Sequence, residues 1–487
     1  MNWTLTLVLI AATALMVLAY LRLSRRSAAG IRTSATGRAL SIGGLATRSG
    51  FRKLALKARQ LISGRKRKAE LEKAYHITTA AEVGAMMGQM KGVFMKLGQI
   101  ASFTRESMPP EARAMLEGLQ NDAPPMSFEL ARGVVEAELG APLATLYRSF
   151  DPKPLAAASI GQVHRARLHS GEDVVVKVQY PGVDEAIRAD LRFTQGMAGL
   201  ISTFFKNADA HAMVAELKLR LEDELDYRQE AKNQMYFGRI WAGHPLIRIP
   251  TVYPSHSARR VLTQSFAEGL NFKDFVKAAR PAEKRLAVLV LNDFVFDSMH
   301  LFSAFNGDPH PGNYLFAPDG GITFLDFGCT KYFDGAFLGD LRDINRAIIE
   351  EDLPTFEAGL YKTGIILPGR KLEQPTTWDF FAYHARPFAK DESFAFTSAY
   401  LNEAGHTMRL ENVRKFNLPP DLIFFNRITF GLNAIFTTLG ADENFHQLYR
   451  RYIYPDENAP PSIAVAGVEL PARFIPARPW AVEAERP

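Results

Sequence analysis

The sequence predicts an α+β fold of two lobes, and three observations support this. Between residues 150 and 180 apolar residues alternate with polar ones, and a Ser-Gly turn divides the stretch into two strands. Residues 208–240 then follow the pattern of a long helix, and "VLTQSF" (261–266) that of a further strand. Almost everything from 271 to 455 is helical in pattern. A small β-rich lobe therefore precedes a helix-rich one.

The composition supports a folded protein with ordinary cores. The chain has 487 residues, of which 47% are hydrophobic and 23% charged, and both values are typical of globular proteins. Cys329 is the single cysteine, so an intramolecular disulfide framework and a cysteine-based zinc cluster are both excluded. We therefore expect the bulk of the protein to lie in a reducing compartment.

The first segment is predicted to be a membrane anchor. Residues 1–21 carry no charged side chain, and Trp3 to Leu23 in helical conformation, at about 1.5 Å per residue, matches the thickness of a bilayer core. Because cations follow this run, the positive-inside rule predicts a single-pass N-terminal anchor over residues 1–23 with a cytoplasmic catalytic domain. A cleaved signal peptide and a mitochondrial presequence are the alternatives.

The second segment, residues 24–75, is predicted to be a basic juxtamembrane linker. Residues 1–69 contain 14 Lys or Arg and no Asp or Glu, whereas the rest of the chain has 44 basic and 52 acidic residues. The basic character is therefore local. Residues 22–68 are expected either to contact an anionic lipid surface or to form a solvated linker, and no nucleic-acid partner is expected.

The remaining segments are predicted from periodicity. Residues 76–125 form a helical extension, in which Gly84, Gly88 and Gly92 share one face for close packing. Residues 455–487 contain seven prolines and show no lasting periodicity, which indicates an extended or disordered tail with its boundary at 456. The predicted domains are the anchor 1–23, the linker 24–75, the extension 76–125, the β-rich lobe 126–270, the helical lobe 271–455 and the Pro-rich tail 456–487.

A lysine and several carboxylates indicate a phosphate site. Lys177 ends "VVVK" in a strand, which is the position of the strand lysine in the V-A-I-K pattern. The helix that follows supplies candidate carboxylates to hold this lysine, namely Glu224, Asp226 and Glu230. Transfer or hydrolysis of a γ-phosphate requires such charged groups, because the protein acts mainly by neutralising charge.

The stretch "FNGDPHPGNYLF" (305–316) supplies the polar residues of a catalytic loop. Asp308 and Asn313 stand five residues apart, which is the spacing of the D-x-x-x-x-N catalytic loop, and prolines stiffen the backbone between them. Asp326, in "LDFG", follows thirteen residues later, enough for a short hairpin that brings Asn313 and Asp326 to one Mg²⁺ ion. His310 is interpreted as a histidine that structures the loop. The joint pattern predicts a two-lobed, protein-kinase-like fold.

The segment expected to cover the phosphates departs from that of protein kinases. They use G-x-G-x-x-G, whereas this chain has "LAAASIGQVHRA". No A-P-E follows the D-F-G tripeptide at the usual distance, and "NGD" replaces H-R-D. Ordinary phosphorylation of peptides is therefore disfavoured.

The chain closely resembles the UbiB-like family of atypical kinases, also called AarF-domain-containing kinases. The resemblance covers roughly residues 80–450 and is carried by six motifs: "KLGQ", "AAASIGQVHRA", "VVVKVQYPG", "ELDYRQEAKNQ", "DPHPGN" and "LDFG". It implies a helical N-terminal extension folded over the active site. Lys96 would lie in the pocket near Glu224 and Asp226, with Glu230 beside them. Asn306 departs from the family, whose members commonly have His two residues before the catalytic Asp.

The resemblance also implies residue roles and an activity. The catalytic set would be Asp308, Lys177, Glu224, Glu230 and Lys96. Asn313 and Asp326 would hold Mg²⁺. ATP would be bound by Ala156, Ala157, Ala158, Ser159, Gln162, Val163 and Lys177.

The expected function is that of a membrane-anchored, ATP- and Mg²⁺-dependent atypical kinase or ATPase. It would act in lipid or isoprenoid quinone metabolism, with membrane lipids or quinone-pathway proteins as partners. A non-catalytic, ATP-gated scaffold is the alternative, and an ordinary Ser/Thr protein kinase is a third possibility.

Overall fold

The computed structural model describes most of the chain after residue 125. The described residues are 126–158, 160–191, 215, 222–306, 309–374, 376–407, 416–417, 419–457 and 459–475. The predicted anchor, basic linker and helical extension lie outside them. Within this part of the chain, no helix is both long and apolar enough to cross a membrane. The chain divides into two compact units, one with residues up to 195 except 172–174, the other with the rest.

The first unit combines a small sheet with short helices. Its elements are α1 (Phe128–Leu139), α2 (Leu143–Leu146), β1 (Ser149–Phe150), β2 (Ala156–Ala157), β3 (Gly161–Arg167), β4 (Asp173–Gln179) and α3 (Val183–Leu191). β3 lies between β1 and β4, and β2 also pairs with β3, with Ala156 opposite Val163. The strand, turn and strand predicted between 150 and 180 correspond to β3 and β4.

The close approach of two strands requires glycine at one position of this sheet. A Cβ added at Gly161 would lie 2.2 Å from the carbonyl oxygen of Val178. The backbone of Tyr180 also donates to the carbonyl of Ile160 at 2.9 Å. Because the backbones of β3 and β4 meet here, only glycine fits at position 161 without movement of β4.

The second unit is mainly helical. Its helices are α4 (Tyr227–Ile240), α5 (Phe272–Ala278), α6 (Pro281–Phe302), α7 (Gly335–Ile349), α8 (Leu353–Lys362), α9 (Thr376–Ala389), α10 (Ser398–Thr407), α11 (Pro420–Leu439) and α12 (Phe445–Ile453). Its strands are β5 (Ile247–Arg248), β6 (Val261–Ser265), β7 (Leu270–Asn271), β8 (Ala304–Asn306), β9 (Tyr314–Phe316), β10 (Ile322–Phe324), β11 (Thr330–Tyr332), β12 (Phe394–Ala395) and β13 (Asp442–Glu443).

Helix α6 is the centre of the second unit. It is buried along most of its length from Ala287 onward, as expected of a helix surrounded by other elements, and Leu289, Val290 and Leu291 are fully buried. Burial of one such side chain contributes roughly 1.5–3 kcal/mol. The helix begins with a capping box, in which the Glu283 carboxylate accepts the Arg280 backbone N–H at 2.7 Å.

The second unit contains two small sheets, one beside α6, where Phe324 of β10 stacks on Phe294, and one that begins directly after this helix. The strand order of the first is β5, β10, β9, β7, with β5 parallel to β10 and the other pairs antiparallel. The second pairs β8 with β11, so that Asn306 lies opposite Thr330. Together these strands position the loops before β9 and after β10.

Two expectations about regular structure require correction. The helix predicted over 208–240 is interrupted, because Asp226 is extended (φ −126°, ψ 95°) and caps a new helix that begins at Tyr227. The tail is also partly folded: Ser462–Ala466 and Ala472–Phe474 are 3₁₀ turns, and Ile463 and Phe474 are buried. The predicted α+β class is confirmed, whereas the domain boundaries stay predictions.

Candidate active site

The hairpin β9–β10 brings two predicted metal ligands to the same end of one sheet. Asn313 directly precedes β9, and Asp326 follows β10 after one residue. Tyr314 pairs with Phe324, and the backbone N–H of Leu325 donates to the Asn313 carbonyl at 2.9 Å. Asn313 and Asp326 therefore both lie at the open end of the hairpin.

The loop before β9 is held by local hydrogen bonds. His310 Nδ1 accepts the backbone N–H of Gly312 at 3.1 Å, and the Asn313 N–H donates to the His310 carbonyl at 2.9 Å. These bonds close the 3₁₀ turn Pro311–Asn313. The structure therefore gives His310 the loop-structuring role inferred from the sequence.

The same loop packs closely on helix α11. A Cβ added at Gly431 would lie 2.5 Å from Pro309 Cγ and 3.2 Å from the Pro309 carbonyl oxygen. The helix therefore accommodates the loop because position 431 has no side chain.

Asp326 is fixed on both sides by hydrogen bonds. Its Oδ1 accepts the backbone N–H of Gly328 at 2.9 Å, which shapes the turn after β10. Its backbone carbonyl accepts a hydrogen bond from Asn306 Nδ2 at 2.5 Å. Asn306 stands where members of the family that the sequence resembles commonly have His. In this chain its amide connects β8 directly to the turn that carries Asp326.

Helix α4 contacts the segment after Asp326. Asn233 Nδ2 donates to the Phe327 carbonyl at 3.1 Å, and Tyr332 Oη donates to Asn233 Oδ1 at 3.2 Å. The Phe327 ring is fully buried, with its centroid 5.0 Å from that of Phe237 on α4. The position of the D-F-G segment is therefore coupled to the position of this helix.

Two carboxylates lie near Gly328. From the point where a Cβ of Gly328 would stand, Asp326 Oδ1 is 3.3 Å away and Glu230 Oε2 is 3.5 Å away. Glu230 is only 4% exposed. The turn at Gly328 therefore has an oxygen of each carboxylate beside it.

The donor set fits Mg²⁺, the ion that the kinase-like pattern implies. Carboxylate and amide oxygens are hard ligands, and Mg²⁺ usually takes only one or two protein carboxylates together with water and substrate phosphates. Asp326, Asn313 and Glu230 would supply such oxygens. In the described part of the chain, no group of three or more His, Cys, Asp or Glu side chains could hold a metal by itself. Water and phosphate oxygens would complete the coordination of an ion that these residues held.

Asp226, the other candidate carboxylate on this segment, has a structural role. It caps α4 by accepting the Arg228 backbone N–H at 3.0 Å, and it also forms a 2.6 Å ion pair with the Arg228 guanidinium. Hydrogen bonding to Arg228 lowers the pKa of Asp226. Glu224 lies half-buried in the turn before this cap.

The first unit carries the predicted nucleotide-binding residues. Ala156 and Ala157 are exposed on β2, and the Ala158 N–H donates to the Gly161 carbonyl at 2.9 Å. Val163 and Lys177 are half-buried on β3 and β4. Their roles toward ATP stay predictions.

The Gln162 side chain is buried inside this unit and forms hydrogen bonds there. It is 1% exposed, its Oε1 accepts the Met126 N–H at 2.9 Å, and its Nε2 lies 2.8 Å from His164 Nε2. His164 Nδ1 lies 2.8 Å from the Asp151 carbonyl. Burial lowers the pKa of His164, so a neutral ring that donates to Asp151 and accepts from Gln162 satisfies every group.

Three predicted site residues, Lys96, Ser159 and Asp308, lie outside the described residues. Three others that matter here were not predicted as site residues: Asn233, Asn306 and Gly431. Asn233 lies one helical turn after Glu230, and this spacing was the one signal in the sequence that could have indicated it.

A family model and a solved structure both match large parts of this chain. A family model for the ABC1 atypical kinase-like domain matches residues 118–357. The solved complex of Rv3197 with erythromycin from Mycobacterium tuberculosis is 31% identical, with a TM-score of 0.59 over 80% of this chain and 98% of that one. The chain belongs to the ABC1 atypical kinase-like family. This assignment confirms the family predicted from the motifs.

Curated members of the ABC1 family are similar over part of their length. "Probable protein kinase UbiB" of Marinobacter nauticus is 37% identical over 45% of this chain and 41% of its own length. "Atypical kinase COQ8, mitochondrial" of Saccharomyces cerevisiae is 32% identical over 51% of this chain and 50% of its own length. The similarity thus spans about two fifths to one half of these relatives.

The predicted localisation is wrong. A single-pass anchor with a cytoplasmic catalytic domain was expected, but the described residues contain no helix suited to crossing a membrane. The yeast relative is named as mitochondrial and several relatives from Arabidopsis thaliana as chloroplastic. The uncharged N-terminal run is also compatible with other targeting segments, so it was a weak basis for the prediction.

Proposed function

We propose that this ABC1-family chain is an atypical kinase or ATPase that binds Mg²⁺ and ATP. The observation that carries the proposal is the convergence of Asn313 and Asp326 at the open end of one hairpin. A carboxylate oxygen of Asp326 and one of Glu230 lie 3.3 and 3.5 Å from the same point, the position of a Cβ at Gly328. Phosphoryl transfer requires mainly positioning and charge neutralisation, and this arrangement suits both.

The residues of the chain would have distinct roles. Asp326 and Asn313 would hold the ion, and Asn306 and Gly328 would keep Asp326 in place through its carbonyl and carboxylate. Mg²⁺, when bound, neutralises phosphate charge. Asp308 of the catalytic loop would orient the nucleophile, as the family pattern implies.

The proposed substrate class is a lipid or an isoprenoid quinone precursor. The family resemblance and the relatives named UbiB and COQ8 support this class. The absence of A-P-E and of a Gly-rich phosphate loop argues against peptides. We therefore expect a phenolic or lipid acceptor, or hydrolysis of ATP stimulated by such a compound.

Ligand-dependent thermal stabilisation tests the binding step. Wild-type protein should be stabilised by Mg²⁺ and ATP together by about 2.7 kcal/mol at a ligand concentration one hundred times the Kd. Asp326→Asn should lose the metal-dependent part of this stabilisation. Asp319→Asn is the matched control, because Asp319 lies in the turn at the other end of the same hairpin and pairs with Arg248. Equal metal-dependent stabilisation in both variants would contradict the proposed site.

Hydrolysis and transfer assays test the catalytic step. ATP turnover should require Mg²⁺, rise with quinone-like phenols in detergent, and fall in Asp308→Asn. If Asp308→Asn binds Mg·ATP and retains full cellular function, the chain is instead an ATP-gated scaffold. Vigorous phosphorylation of a peptide library would identify an ordinary Ser/Thr protein kinase.

A second candidate function is the binding of a macrolide. The mycobacterial relative was solved with erythromycin, and it matches 80% of this chain. Isothermal titration with erythromycin, with and without Mg·ATP, tests this candidate directly. No heat of binding in either condition would eliminate it.

A further inference from the structure

The segment 459–475 is an integral part of the second unit. Ser462 and Ile463 are fully buried, and Phe474 is 2% exposed. Ile475, the next residue, is 51% exposed. The segment therefore buries selected side chains against the unit, as a specific packing element does.

Its first anchor point is helix α6. The Asp293 carboxylate accepts the backbone N–H groups of Ser462 and Ile463 at 2.7 and 2.8 Å, one on each oxygen. Asn292 Nδ2 donates to Ser462 Oγ at 2.8 Å. Three hydrogen bonds in a buried place hold this end of the segment, and each would leave an unsatisfied polar group if it were broken.

Its second anchor point is the end of helix α4. The Phe474 ring stacks on Trp241 with a centroid distance of 6.0 Å and an interplanar angle of 10°. It also meets the edge of His244 at 4.9 Å. Arg473 donates to the Ala242 carbonyl. The segment thus covers the residues that directly follow α4.

Two series of contacts connect Phe474 and its partners to the candidate active site. Helix α4 itself carries Glu230 and Asn233, and Asn233 binds the Phe327 carbonyl. His244 Nδ1 accepts the N–H groups of Leu246 and Ile247, at 3.2 and 2.8 Å, at the start of β5. β5 in turn pairs in parallel with β10, the strand that ends just before Asp326. Phe474 therefore supports both the helix and the strand that position Asp326.

We propose that Phe474 is a positioning residue: by packing on Trp241 and His244, it holds α4 and β5, and through them Glu230 and Asp326, in the geometry that binds Mg·ATP. This proposal deepens the proposed function and rests on it. It implies that release of the segment 459–475 weakens the site at a distance, without any contact between Phe474 and the ligand.

The test compares Phe474→Ala with Ile475→Ala in the full-length protein. Phe474→Ala should weaken Mg·ATP binding at least about tenfold, a change of about 1.4 kcal/mol. Its binding of ATP without Mg²⁺ should change much less. Ile475→Ala should match wild type in both measurements, because its side chain is exposed. Phe474→Leu, which retains apolar volume without stacking, should fall between them and provides a folded variant if Phe474→Ala fails to fold.

Hydrogen exchange gives an independent readout. In Phe474→Ala, amide exchange should rise across residues 227–240 and 322–328 as well as in the segment itself. Faster exchange confined to 459–475, or an unchanged metal-dependent affinity in folded protein, overturns the proposal. If wild type shows no Mg·ATP binding, the proposed function fails, and the exchange pattern in 227–240 and 322–328 still decides whether Phe474 positions these elements.

Discussion

At the scale of single residues, the candidate site depends on contacts between residues distant in sequence. The spacing of Asn313 and Asp326 was visible in the sequence because short hairpins have predictable lengths. The partner of Asn306 was not visible, because its bond to the Asp326 carbonyl spans twenty residues. That contact depends on the pairing of β8 with β11, which no local pattern reveals.

The Asn306 amide should be necessary for a stable turn at Asp326. In Asn306→Ala the carbonyl of Asp326 loses its donor in a partly buried place, which should lower the unfolding free energy by about 1–3 kcal/mol and weaken Mg·ATP binding. Asn306→His should retain much of the unfolding free energy and much of the Mg·ATP affinity, since imidazole also carries an N–H donor. Urea unfolding and nucleotide titration measure the two effects. Equal losses in Ala and His variants would show that the donor is not what matters.

Gly431 should be required for the position of the catalytic loop. Replacement of a helical Gly by Ala normally stabilises by about 1 kcal/mol. Gly431→Ala should instead destabilise by about 1–3 kcal/mol, because the new Cβ would overlap Pro309. It should also reduce ATP turnover. Gly133→Ala is the matched control, since a Cβ there meets nothing within 4 Å. The unfolding temperature should therefore fall in Gly431→Ala and rise in Gly133→Ala.

At the scale of elements, α4 shows what periodicity can and cannot predict. The helix was expected from its pattern, and Glu230 was expected to face a functional site. Its true start at Tyr227 depends on the cap that Asp226 forms. Capping residues compete with the continuation of a preceding helix, and the sequence does not show which outcome is more stable. The far end of α4 depends on Trp241 and His244, whose partners come from the tail.

The loop between α4 and β5 should make stability sensitive to acid. Burial, together with the charge of Arg473, lowers the pKa of His244 from 6.5 to about 3. The folded state therefore excludes a proton that the unfolded state binds below pH 6.5. The contribution of His244 is complete above pH 6.5 and is lost as the pH falls toward 3, by about 1.4 kcal/mol per unit.

The variant His244→Asn isolates this effect, because its Oδ1 can accept the same backbone N–H groups and does not titrate. It should be less stable than wild type at pH 7.5, since it lacks the ring contacts with Trp241 and Phe474. The difference in unfolding free energy between wild type and His244→Asn should then shrink by about 1 kcal/mol between pH 6.5 and 5.5. Urea unfolding at these pH values measures it. A constant difference would show that His244 does not remain neutral in the folded protein.

At the scale of the whole chain, local patterns predicted the α+β class and the family, and they marked Asn313, Asp326 and Glu230 as candidate site residues. They did not reveal the packing between distant segments. The side chain of Gln162, whose role toward ATP stays a prediction, bonds to Met126, 36 residues away. The tail lacks periodicity, yet Ile463 and Phe474 are buried, because each fills a site formed by residues more than 150 positions earlier.

The tail should therefore contribute to global stability, and its removal tests this. A chain ending at residue 457 loses the burial of Ile463 and Phe474, and it leaves the Asp293 carboxylate without two backbone donors. Since deletion of one large buried side chain typically costs about 2–5 kcal/mol, the unfolding free energy should fall by at least about 3 kcal/mol. A synthetic peptide of residues 459–475 should restore part of the loss in a saturable manner, because ligands that bind only the folded state stabilise it. The same peptide with Phe474 replaced by Ala should restore less. If the shortened chain unfolds at the same urea concentration as the full chain, the buried contacts of the tail add little to the stability of the second unit.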